Sequence, residues 1–261
     1  KKKKIMEYHQ GTFKIMNTYA LDFESYYDKT CYIKTLGPIG YFAHPDFDAY
    51  LISVVGDDGF VFVGNPKEFD WSMLKGHRVL SHNASFDETL YLYGVKEKWW
   101  GSVEVKEWHC TADMSVCCGH PRSLKKASEE VLNIDLSKET RDAMKGKTWD
   151  SMSKEFKKDV LEYATLDSEY CLQLWDKLSP QWSEFERSIS LFNRRCSQKG
   201  LPIDIDLLKE SKEHINKLLF EVENTIPWID NAPILSRKAF NAECRKAGVE
   251  PPDSMAMTNE E

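Results

Sequence analysis

Asp22 and Glu24 stand two residues apart in the stretch Thr18 to Ser25 (TYALDFES). Its alternation puts Tyr19, Leu21 and Phe23 on one face of an expected strand and Ala20, Asp22 and Glu24 on the other. Two carboxylates facing the same way suit a hard divalent cation such as Mg²⁺ or Mn²⁺, because such ions take oxygen ligands and Mg²⁺ keeps several waters. Two further acids stand where helices could bring them in. Asp87 falls in the first turn of a helix expected from about Ser85 to Tyr93, and Asp167 follows Tyr163 by four residues in a long helical pattern, so phenol and carboxylate share a face. The chemistry open to this set is phosphodiester hydrolysis. It needs a water of lowered pKa and positive charge beside both the attacking and the leaving oxygen, and two divalent ions about 3.5–4 Å apart meet both needs. Tyr163, a poor base with an ordinary pKa of about 10, would orient the water while the metal activates it.

The elements that must position these residues follow from pattern. Ala49 to Val55 and Phe60 to Val63 read as strands joined through Gly56-Asp57-Asp58-Gly59, a hairpin with a four-residue loop. Arg78 to Ser81 and Trp108 to Thr111 read as a fourth and a fifth strand. His82 and Asn83 form the turn into the helix that carries Asp87, with Gly94 expected to close it. Thr111 and Ser123 are candidate N-caps of two helices. From Ser153 the positions Phe156, Val160, Tyr163, Ala164, Asp167 and Cys171 keep helical spacing until Pro180. Two amphipathic helices follow, Trp182 to Lys199 and Ile205 to about Asn224, so a domain boundary is expected near Ser179.

Three stretches together bring a family into view. LDFES around Asp22 and Glu24, SHNASFD with Asn83 four before Asp87, and YATLD with Tyr163 four before Asp167 resemble the three exonuclease motifs of the DEDD superfamily in its tyrosine subtype. The histidine subtype would need a histidine where Glu162 stands. The resemblance implies an α/β, ribonuclease-H-like fold: a mixed five-stranded sheet flanked by helices. It also implies roles. Asp22, Glu24 and Asp167 would hold the ion that binds the attacking water, Asp22 would bridge to a second ion held by Asp87 mainly through waters, and Tyr163 would position the nucleophile. Asn83 and Phe86 would face the substrate, with Ser25 and Tyr26, and its neighbour Tyr27, as candidates at the terminal nucleotide. The stretch RRCSQKGLPIDIDLL, Arg194 to Leu208, is similar to the passage from exonuclease into polymerase in family A DNA polymerases, particularly those of bacteriophages. On that likeness residues 16–179 form a 3′–5′ proofreading exonuclease acting on single-stranded DNA 3′ ends and primer-template DNA. Residues 180–261 would then begin a polymerase domain continuing past Glu261, and 1–15 would be an extension or tag-like segment. A ribonuclease D-like RNA-trimming exonuclease, or a non-catalytic nucleic-acid-binding module, are the alternatives.

Composition bounds these readings. The net charge of −7 argues against a nucleic-acid coat protein but not against a nuclease whose metals supply positive charge locally. No apolar run approaches the roughly 18 residues of a membrane span. Seven cysteines, an odd number that includes the adjacent pair Cys117 and Cys118, fit a reducing cytoplasm, the host's in the case of a bacteriophage protein. His109, Cys110, Cys117, Cys118 and His120 have zinc-ligand chemistry but no paired Cys-x-x-Cys spacing, so buried cysteine is the expectation there. Arg122, Lys125, Lys126, Lys145 and Lys147 are candidate phosphate contacts.

Overall fold

The computed structural model describes residues 16–134 and 139–254. The lysine run at Lys1 to Lys4 and most of the closing DSMAMTNEE stretch lie outside the described residues.

Five strands form one mixed sheet: β1 (Thr18–Glu24), β2 (Leu51–Gly56), β3 (Val61–Gly64), β4 (Arg78–Ser81) and β5 (Glu107–Cys110), in the order β3-β2-β1-β4-β5. β1 pairs antiparallel with β2 and parallel with β4, which makes it the central strand, buried from Thr18 to Leu21. Around the sheet lie α1 (Ile33–Phe42), α2 (Ala84–Lys96), α3 (Thr111–Cys117), α4 (Leu124–Leu132), α5 (Glu139–Met144), α6 (Lys154–Leu178) and α7 (Glu184–Lys199). The two faces of β1 enter different cores. Tyr19, Leu21 and Phe23 join an aromatic cluster in which Phe23 stacks on Trp71 and Trp100, with ring centroids 6.1 and 5.5 Å away. Ala20 on the opposite face packs with Leu80, Met114, Cys171 and Leu174 beneath α6. Helices therefore cover both faces, as the period-two pattern requires. Trp149 stacks on Tyr50, and Trp175 and Trp182 pack with His109, so these large aromatics serve the core.

Local expectations met three differences. Gly94 does not close α2; the helix continues to Lys96, and Gly94 is buried because the Trp100 ring lies where its side chain would be, a Cβ there falling 2.1 Å from Cζ2. Thr111 is the first residue of α3 and not its cap. Cys110 caps it, its Sγ accepting from the Asp113 N–H at 3.4 Å. The third difference is the division of the chain. Two compact units meet at Gly200 and Leu201, beyond the expected boundary near Ser179. The reason lies in Arg194 of α7, which is fully buried in the first unit: Nε donates to Glu88 Oε2 on α2 at 2.8 Å, Nη1 to Ser190 Oγ at 3.1 Å, and Nη2 to the Trp108 carbonyl. Pro180 ends α6, but this pairing keeps the next helix with the sheet.

The second unit holds α8 (Ile205–Glu223) and α9 (Arg237–Lys246). Asp204 caps α8 by accepting from Asp206 N at 3.1 Å and Leu207 N at 2.9 Å. Trp228 packs edge-on against Phe240. Among the described residues no helix is long and apolar enough to cross a membrane.

Candidate active site

The acids of the sequence motifs converge. β1 delivers Asp22 and Glu24 at its C-terminal end, and α6 crosses β1 and β2 so that Asp167 faces them; ligand oxygens of these three carboxylates lie within 4.8 Å of one another. Asp87 comes from the other side, at the start of α2. It is buried, and its Oδ1 accepts from the Phe23 N–H at 3.1 Å, which fixes it to the strand between the two other acids. The turn that launches α2 depends on Asn83, at φ 82° and ψ 51°, a left-handed conformation that asparagine tolerates.

The register of α6 is set from inside the core. Ser53, the cross-strand partner of Asp22, donates to the Ala164 carbonyl at 2.6 Å and bonds the hydroxyl of Ser168, the residue after Asp167. Both serines are fully buried. Ser53→Ala leaves buried partners without their hydrogen bonds and is expected to cost about 1–3 kcal/mol. Urea denaturation should show a lower midpoint with an unchanged slope.

Gathering four acids in one cleft, with Asp87 buried and Asp22, Glu24 and Asp167 half-buried, disfavours their charged forms. Burial, reinforced by the neighbouring carboxylates, pushes Glu24 up to about 8 and holds Asp22 well above the usual carboxylate range. Burial likewise pushes Asp87 up to about 7 and Asp167 to about 6. Burial and the same acids drive the Tyr163 phenol far above its ordinary value, and Tyr163 lines the cleft together with Asp167. An oxygen-only donor set with this much unmet negative charge fits hard divalent cations, with Asp22, Glu24 and Asp167 as one ligand group and Asp87 beyond it.

The acids line a cleft of about 800 Å³, together with Asn83, Phe86 and Ser25. Phe86 packs on Phe42 and Tyr41, and Ser25 bonds the Tyr41 hydroxyl at 3.0 Å. Of the two tyrosines that follow β1, Tyr26 is not among the residues lining the cleft. The strand ends at Glu24, so alternation stops there, and Tyr26 turns into the core with its hydroxyl on Asp28 at 3.1 Å. Tyr27, the other candidate, lines it. Of the candidate phosphate contacts, Arg122 and Lys125 reach the cleft, whereas Lys147 lies over the Phe156 ring. His82 sits in the cleft wall between Thr111 Oγ1 at 3.0 Å and the Arg122 carbonyl at 2.8 Å, and burial lowers its pKa to about 4. The cysteine and histidine set disperses: His109 bonds Glu107, His120 bonds Glu130, and Cys110 caps α3. Arg141 on α5 also lines the cleft, and no sequence signal pointed to it.

The mixed five-stranded sheet flanked by helices has counterparts among solved structures. The chain is similar to the apo form of a nuclease at 19% identity, with a TM-score of 0.50 over 84% of this chain and 89% of that one. The likeness is one of fold. Weaker likenesses are to Escherichia coli RNase D (16% identity, TM-score 0.47, 71% of this chain and 46% of that one) and to Mg²⁺-bound NrnC of Brucella melitensis (15%, 0.44, 85% and 91%). No protein-family model matches the chain, and no curated protein does.

Proposed function

We propose that the chain is a metal-dependent 3′–5′ exonuclease of the DEDD type that hydrolyses the terminal phosphodiester of a single strand. The observation that carries this reading is the convergence of Asp22, Glu24 and Asp167 in one cleft that Tyr163 also lines. Asp22, Glu24 and Asp167 would hold one ion, and Asp22 with Asp87 a second. Bound there, the ions supply the acidified water and the positive charge at attacking and leaving oxygens that the reaction needs. The protein supplies the rest. Tyr163 stays protonated across the physiological range, so it acts as a hydrogen-bonding group that orients the nucleophilic water and not as its base. Phe86 and Tyr41 give the cleft an aromatic wall against which a terminal base can stack without regard to sequence. Asn83, whose side chain caps nothing, leaves its amide to the substrate.

We read the substrate as DNA and the context as proofreading by a family A polymerase. The support is the Arg194 to Leu208 stretch, in which α7, the Gly200 break and the Asp204-capped α8 follow one another as the resemblance requires. RNA is the competing substrate, because two-metal chemistry acts on phosphate and is indifferent to the 2′ position. Matched single-stranded DNA and RNA of one sequence, labelled at the 3′ end and incubated with Mg²⁺, separate the two. Faster release of nucleoside monophosphate from DNA is expected; a preference for RNA points to ribonuclease D-like trimming, and binding without release in either case to a non-catalytic module.

A further inference from the structure

A cleft that gathers four carboxylates repels the polyanion it must cut, and a net charge of −7 offers no general remedy. Arg141 supplies a local one. It lines the same cleft, and its charge acts favourably on Asp22, Glu24, Asp167 and Tyr163. The residue remains exposed, and among the described residues its guanidinium closes no ion pair with those acids. The helix that carries it, α5, has six residues, too few to hold itself. Tyr27 holds it. The Tyr27 hydroxyl donates to the Arg141 carbonyl at 2.8 Å, and the Gly146 N–H donates to the Tyr27 carbonyl at 2.8 Å. Met144, 1% exposed, anchors the end of α5 beside Tyr50 and Leu51. Because Tyr27 follows Glu24 by three residues, the tether ties Arg141 to the strand that presents the metal-binding acids.

We propose that Arg141 binds the non-bridging oxygens of the scissile phosphodiester and that Tyr27 is the positioning residue that keeps it there. This rests on the exonuclease reading. A guanidinium suits the task because its planar fork can give two hydrogen bonds to one phosphate, and its charge meets the charge that develops on the phosphoryl oxygens. Without substrate the same charge competes with divalent ions for the carboxylates. Loss of Arg141 therefore has opposite consequences for substrate and for metal, which a purely structural role would not produce.

The test uses the full chain, 3′-labelled single-stranded DNA and Mn²⁺. Arg141→Ala is expected to lower kcat by roughly 100-fold and to raise KM. Arg141→Lys should recover part of KM but little of kcat, since an ammonium lacks the fork. Calorimetry without nucleic acid should show Mn²⁺ bound to Arg141→Ala several-fold more tightly than to the parent. Tyr27→Phe should move kcat and KM in the same direction by less. If the parent is active, Asp22→Asn is inert and Arg141→Ala keeps kcat and KM within about twofold, Arg141 does not bind the phosphate and the exonuclease reading stands. A fall in Mn²⁺ affinity alongside activity would also overturn the proposal, because Arg141 would then be shaping the acid cluster. A parent inactive on every strand removes the exonuclease reading and this inference with it.

Discussion

Asp22→Asn is expected to lower hydrolysis by on the order of 10⁴-fold while leaving the fold intact. Asp22 is the acid on which the others bear: Glu24, Asp87 and Asp167 each raise its pKa. No other residue would touch both ions. Asparagine matches aspartate in shape, and β1 is held by backbone pairing to β2 and β4, so the strand should keep its place. The metal-free variant should in fact be more stable than the parent at pH 8, because one of four crowded charges is gone. Single-turnover hydrolysis and thermal unfolding check the two halves. Activity within tenfold of the parent would remove Asp22 from the centre of the site.

Metal should stabilise the protein strongly, and increasingly as pH rises. Glu24, Asp87 and Asp167 are pushed up to about 8, 7 and 6 from ordinary values of 4.5, 3.8 and 3.8. Between about pH 4 and 8 the folded chain therefore holds protons that the unfolded chain has released. Stability from these groups is fully present below the unfolded pKa values and is lost as pH climbs through the folded ones. Divalent ions need the deprotonated carboxylates, so their binding releases protons and strengthens over the same window. At a free concentration of about 1,000 times Kd the gain is about 4.1 kcal/mol, a rise in Tm of roughly 8–16 °C for a chain of this size. Unfolding scans with and without Mg²⁺ should nearly coincide at pH 5 and separate most at pH 8. A separation that shrinks with pH would mean that the metal binds elsewhere.

Much of this was legible in the sequence, for physical reasons that also mark where legibility ended. The strands could be read because side chains alternate strictly and turn residues bound them, so the sequence alone assigns Asp22 and Glu24 to one face. Tyr163 and Asp167 could be read from their spacing of four on a long helix. Which of Tyr26 and Tyr27 faces the cleft could not: alternation governs a strand only while it lasts, and β1 stops at Glu24. Gly94 has the residue type of a helix stop, yet its reason is the ring of Trp100, a contact no local rule contains. The unit boundary moved from Ser179 to Gly200 because Arg194 finds Glu88 across more than a hundred residues of chain. Arg141 stayed hidden because α5 is too short to show a period and is held by Tyr27.

Whether these acids form a two-metal centre can be seen by anomalous scattering from crystals soaked in Mn²⁺. Two peaks are expected, one among Asp22, Glu24 and Asp167 and a second between Asp22 and Asp87. Absence of manganese from the cleft, or a single ion away from Asp22, would contradict a two-metal centre.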